Sequence, residues 1–260
     1  MYSGASRASA RRLLVGVAVA AIAVTGTATS ASAASVENGG FETGDLTGWT
    51  VVDQDASNGS WYAYSGTTSP LSGFDIVAPP EGVFGATSDQ SGPGSHILYQ
   101  DVFLEPASSH ELSFSVYYNN LAGAFHTPDT LDFNVFPNQQ YRIDVVDPSA
   151  PVDSVAPTDV LATVFRTEVG DPSTLAPTTI TFDLTPYAGS TVRLRLAEVD
   201  NQLFLLAGVD DVRITTTPRT PTSVGACKAE GWRNFVNNAG QPFKNQGDCV
   251  SFVATGGRNR

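Results

Sequence analysis

The chain of 260 residues predicts an all-β fold: a two-sheet jelly-roll β-sandwich followed by a small disulfide-closed C-terminal segment. Three observations lead there. Apolar residues recur with a period of two through most of the chain, Gly, Pro, Ser and Asp interrupt those runs at short intervals, and no amphipathic helix of ordinary length is evident before Ala226. The only two cysteines, Cys227 and Cys249, sit close together near the C-terminus.

The elements follow in chain order. Arg7, Arg11 and Arg12 precede an apolar run from Leu13 to Val24, and Ala31-Ser32-Ala33 supplies small residues for cleavage, so residues 1–33 read as an export signal of the general secretory type. The run falls short of the roughly 20 residues that a spanning helix needs, so the mature chain is expected to be secreted, extracellular and without a membrane span. Residues 34–217 are assigned to the sandwich. Leu112, Phe114, Val116 and Tyr118 alternate with Ser113, Ser115, Tyr117 and Asn119. Ile180, Phe182 and Leu184 alternate with Thr179, Thr181 and Asp183, and Val192, Leu194 and Leu196 with Arg193, Arg195 and Ala197, as half-buried strands do. Further strands are expected around residues 49–53, 61–64, 83–87, 96–103, 141–146, 160–168 and 204–216. Residues 119–140 break the alternation; a stretch of that length is usually functional or disordered, and Phe125, Phe133 and Phe136 argue against disorder. The Pro- and Thr-rich residues 218–226 read as a linker, and residues 227–260 as a separate tail.

Charge is unevenly distributed. Residues 34–226 carry 24 acidic residues against six arginines and no lysine, whereas the tail is net positive. Nucleic acids and anionic membranes are bound through basic patches, so the acidic body excludes nucleic acid as a partner and favours cations or neutral ligands; a solvated acidic surface that keeps a secreted protein soluble accounts for it equally well. An isolated cysteine pair in an exported protein is most simply a disulfide, here Cys227 with Cys249.

Asn38-Gly39-Gly40-Phe41-Glu42 with Gly48-Trp49, and Val209-Asp210-Asp211-Val212, resemble the opening and closing strands of galactose-binding-like jelly-roll modules, the fold of many carbohydrate-binding modules of secreted bacterial enzymes. The resemblance covers most of residues 36–217. It implies a non-catalytic module for a glycan or cell-envelope polymer. It also implies a structural Ca2+ held by Glu42 and Asp210, with Asp211 as a further ligand, together with backbone carbonyls. Parity independently directs Asp210 inward if Val212 and Ile214 face the core. The alternative is that Glu42 caps a turn and Asp210 accepts from backbone amides. In the tail, Cys227-Lys228, Gly231-Trp232-Arg233-Asn234-Phe235 and Phe243 to Ser251 resemble a C-terminal segment of assorted secreted bacterial proteins; two short helices joined by the disulfide, the second capped by Asn245, are expected there.

A sugar site needs an aromatic platform with amides or acids beside it. Trp61, Tyr62, Tyr64 and Tyr117 are the aromatic candidates and Asn119, Asn120 and Gln140 their polar partners, each with a packing role as the alternative. No catalytic residue is assigned: His96, His110 and His126 form no His-Glu-x-x-His frame, and neither a Gly-x-Ser-x-Gly elbow nor a phosphate loop is present. These histidines are expected to be solvated or satisfied by backbone. An extracellular structural or adhesion protein, and after it a glycan-active hydrolase using paired carboxylates, stand as the other readings.

Overall fold

The computed structural model describes residues 1 and 34–258, so the expected export signal lies outside the described residues except for Met1. Ten strands form two antiparallel five-stranded sheets. In the first the order is β1 (Thr50–Asp53), β4 (Gly94–Phe103), β9 (Thr191–Asp200), β6 (Gln139–Val146), β7 (Val160–Arg166). In the second it is β2 (Gly59–Tyr64), β3 (Gly85–Gln90), β10 (Leu205–Pro218), β5 (Ser108–Asn120), β8 (Thr174–Asp183). The period-two residues form the core between them: Leu98, Ile143, Val145, Leu194 and Leu196 from one sheet meet Leu112, Phe114, Val116, Ala207 and Val209 from the other. Phe41 stacks on Trp49 with ring centroids 5.5 Å apart, which places the Asn-Gly-Gly-Phe-Glu segment at the edge of this core.

Both outer faces are covered in part as well. On the second sheet, residues 65–84 bring Ile76 onto Tyr64, Tyr117 and Leu206. That segment is pinned by Asp89, whose carboxylate accepts from the amides of Leu71 and Ser72 and from the Ser72 hydroxyl. On the first sheet, Leu131 and Phe133 of the loop 121–138, with Val152 and Val155, pack on Ile97, Ala197 and Val199. The alternating β9 is therefore buried on both faces rather than half-buried, and its Arg195 is completely enclosed. Burial without a counter-charge would be prohibitive for a guanidinium. Asp144 on β6 pairs with it at 2.7 Å, and the carbonyls of Val152 and Ser154 take its other end.

One backbone irregularity reverses a parity argument. The β10–β5 register shifts between Asp210 and Arg213, and Asp211 takes a left-handed φ of 55°. This bulge lets Val209 and Val212 both reach the core, so Asp210 faces the opposite side, beneath the covering segment, and not the sandwich interior. Past Pro218 the chain forms a separate small core of Cys227, Phe243, Cys249 and Phe252, with Trp232, Phe235, Val250 and Val253 against it. The Cys227–Cys249 disulfide is present. Cys227 lies on a 3-10 turn and Cys249 on α1 (Gln246–Ala254), whose N-cap Asn245 accepts from the Asp248 amide.

Candidate functional site

The structure gathers part of the expected aromatic set, but not as a platform. Tyr64 and Tyr117 lie on the outer face of the second sheet with their hydroxyls 2.7 Å apart, and both are buried by residues 65–84. The Tyr117 ring crosses Gly208 of β10, where any Cβ would collide with it. Tyr62, half-buried, shares that face two residues before Tyr64, and Asn119 reaches the Asp75 carbonyl at 3.5 Å. Trp61 points the other way: it is 2% exposed, donates its indole N–H to the His96 carbonyl and packs on Tyr141. Asn120 and Gln140 are buried too, their amides spent on Ala124, Gln139, Pro128, Thr130 and Asn138. In this structure Trp61, Tyr64, Tyr117, Asn120 and Gln140 are buried as packing and loop-fastening residues and do not form an exposed platform.

The acidic residues split as well. Asp210 is buried; its two oxygens accept from the backbone amides of Glu81 and Asp211. Burial, and then the negative charges of Glu81 and Glu42, push its carboxyl up to about 7. Glu42 accepts from the amides of Val83 and Phe84 through one oxygen. Both acids thus clamp residues 81–84, as the turn-capping alternative describes, while Asp211 is paired with Arg213.

What sequence reasoning missed lies at one end of the sandwich, where β4 begins and β9 ends. An open pocket of about 210 Å³ is lined there by Ser91, Gly92, Pro93 and residues 200–204. Its rim is apolar. Phe204 packs on Phe74 with centroids 5.0 Å apart and Leu203 is 55% exposed; Phe136, 72% exposed, lies outside the lining, next to Val135 whose carbonyl receives the Asn201 amide. The loop 201–204 is held from beneath, since Gln139 accepts from the Gln202 amide and donates to the Leu203 carbonyl. Only the Phe content of residues 119–140 signalled this region; Phe204, expected to open a strand, and Leu203 before it gave no sign of an exposed rim.

Just inside the same end, the inward faces of β4 and β9 turn polar. His96 pairs across the strands with Glu198, and Gly94 with Asp200. All three titratable side chains are buried, as is Gln90 facing them from β3. His110, by contrast, is satisfied by the Glu105 carbonyl and the Thr216 hydroxyl, as expected of a structural histidine.

No family model and no curated protein matches the chain. Solved structures similar to it include TmCBM61 in complex with β-1,4-galactotriose, with a TM-score of 0.43, 14% identity, and coverage of 70% of this chain and 97% of that one. The K3 cleaved adhesin domain of Lys-gingipain from Porphyromonas gingivalis W83 gives 0.42, 17%, 69% and 96% for the same quantities. A Stig cyclase from Fischerella sp. TAU gives 0.41, 22%, 72% and 99%. Similarities of this size assign no function.

Proposed function

We propose that the protein is an extracellular binding module that takes a neutral, hydroxyl-rich ligand, a glycan or cell-envelope polymer, at the pocket between residues 91–93 and 200–204. The observation that carries this proposal is a preformed concavity lined by half-buried Phe204 and exposed Leu203 beside the polar loop residues Ser91, Asn201 and Gln202, with exposed Phe136 on the neighbouring segment that Asn201 holds. Sugar rings present C–H faces that pack on aromatic side chains and hydroxyls that bond amides and carbonyls, which is what such a rim offers. The acidic body favours a neutral ligand over a polyanion. The cysteine pair is oxidised, in keeping with an extracellular protein, and no helix among the described residues is long and apolar enough to cross a membrane. Retention on insoluble polysaccharides and a glycan array test the proposal. Wild type is retained, and Phe204→Ala and Phe136→Ala each weaken retention about tenfold or more, equivalent to losing about 1.4 kcal/mol, at unchanged fold. Failure of every glycan to retain the wild type, or retention indifferent to both substitutions, rejects it.

Calcium is proposed separately, at the acidic cluster on the other side of the bulge. Glu42 and Asp210 both fasten residues 81–84, with Glu81 beside them, and hard carboxylate and carbonyl oxygens are calcium's preferred donors. Bound there, calcium would neutralise the cluster and tie β10 to residues 81–84 and to the N-terminal segment; Asp211, paired with Arg213, is left out of the ligand set.

A further inference from the structure

The polar row inside the pocket end holds an unusual concentration of unmet bonding capacity. Among the described residues, six buried side-chain polar atoms have no hydrogen-bond partner, and four of them belong to Gln90 Oε1, His96 Nε2 and both carboxylate oxygens of Glu198. Buried polar atoms are almost always satisfied, because each orphan costs about 1–3 kcal/mol. Four such atoms on three neighbouring side chains call for a common partner. His96 and Glu198 are each 0% exposed and Asp200 2%, so whatever partner these atoms take is held away from bulk solvent.

We propose that His96, Glu198 and Asp200 form a binding site for a divalent first-row transition ion, of which zinc is the type. One donor atom from each of the three lies within 4.8 Å of the others. Tetrahedral zinc needs ligands about 2.0–2.2 Å from the metal, so the three donor atoms would draw closer together around a bound ion. An imidazole nitrogen beside two carboxylate oxygens is a zinc-type donor set rather than the all-oxygen set of calcium. The fourth position falls to a water or to Gln90 Oε1, whose amide nitrogen already donates to Asp200 Oδ2.

The second layer is arranged as metal sites require. His96 Nδ1 lies 2.8 Å from Asp53 Oδ1, and the other oxygen of Asp53 accepts from the Ser60 hydroxyl. A carboxylate on Nδ1–H fixes the tautomer that leaves the Nε2 lone pair free to ligate. Asp200 is oriented by the Gly94 amide on Oδ1 and Gln90 on Oδ2, each oxygen keeping a lone pair. Gly94 has a steric reason to be glycine: a Cβ there would occupy the space at His96 Nε2. Asp200 also lines the open pocket, which gives an ion a way in.

The site does not depend on the ligand proposed above or on calcium at Asp210, and its test separates them. Untagged protein stripped with a chelator at pH 7.5 is titrated with Zn2+ by calorimetry and with Co2+ by visible absorption, and metal content is measured after dialysis. Wild type is expected to take up one equivalent, to show cobalt d–d bands, and to melt at a higher temperature when loaded. Glu198→Gln, isosteric and uncharged, should bind zinc at least a hundredfold more weakly, and His96→Gln should abolish the cobalt bands. Asp210→Asn should bind zinc as wild type does. Substoichiometric uptake by wild type overturns the proposal, as does wild-type affinity in both Glu198→Gln and His96→Gln. If neither variant folds, the wild-type stoichiometry and spectrum decide alone.

Discussion

Arg195 and Asp144 stand opposite each other on β9 and β6 with Nη2 2.7 Å from Oδ2, both wholly buried. Asp144 serves a second guanidinium as well, Arg142 on its own strand, through two bonds of 2.7 and 2.9 Å. One carboxylate is therefore shared by two arginines, and burial still pulls the Arg195 guanidinium below its ordinary value. Removing the shared member strands two buried charges, while removing Arg195 strands none. Asp144→Ala is expected to cost about 3–5 kcal/mol and Arg195→Met distinctly less, measured by urea unfolding; equal costs would show that the pairing does not organise this face.

Trp61→Ala should act on stability and not on recognition. A buried Trp truncated to Ala costs about 3–5 kcal/mol, and its indole bond to the His96 carbonyl is lost with it. Glycan affinity per folded molecule should stay at the wild-type value at a temperature well below the melt. A large loss of affinity with an intact melting curve would put the ligand against Trp61 after all.

Gly208→Ala tests the covered face. Its Cβ would enter the Tyr117 ring, and forcing an extra methyl into a packed site costs about 1–3 kcal/mol. The Tyr64–Tyr117 hydroxyl bond would be disturbed too, which tyrosine absorbance difference spectra would register. A neutral substitution would mean that residues 65–84 lift away from the sheet with little resistance.

Asp210 and Asp200 hold their protons up to about 7 in the folded protein, against about 4 in an unfolded chain. Such groups stabilise the fold when protonated, and that contribution is lost as pH rises from about 4 through 7. In chelator, the melting temperature should fall between pH 5 and 7.5, and Asp210→Asn should remove about one linked proton from that slope. Glu198, raised in the same direction, adds to the fall, whereas Asp45, Asp132, Asp147 and Asp183 are shifted the opposite way by their hydrogen bonds and act only at lower pH. A wild-type melting temperature rising across the window would contradict the protonated acids.

Calcium should reverse that slope. At a hundredfold excess over its dissociation constant it stabilises by about 2.7 kcal/mol, in wild type and not in Asp210→Asn. An identical wild-type melt in millimolar calcium and in chelator would dismiss the ion from the acidic cluster.

The all-β architecture was legible because its signal is local: residues 112–118 and 192–197 carry their alternation on the surface of the sequence, and each lies in a strand. Alternation says which side chains share a face but not what lies over it. Nothing around Tyr64 or Tyr117 announces that Ile76 will cover them, and nothing around Arg195 announces residues 152–154. The bulge at Asp211 is the second reason. One extra residue reverses every facing after it, and Asp211 in a left-handed conformation has no distinctive spelling, so the side of Asp210 was inverted. His96, Glu198 and Asp200 meet only through register, across about a hundred residues of chain, which no motif spacing records.

Covering segments over both sheets also bear on how this molecule tolerates change. Residues 65–84 on one side and 121–138 with 147–159 on the other cover the sheet faces around Tyr117 and Val199, so substitutions there trade against packing. Residues 91–93 and 201–204 join strands whose ends are fixed independently by Asp200 and Gln139. Those two short loops are the places where the chain can diversify without loosening its frame, in the manner of the variable loops of an antibody domain. A library randomised at residues 91–93 and 201–204, with Asp200 kept, should yield folded members at high frequency and make this sandwich a scaffold for selected binders.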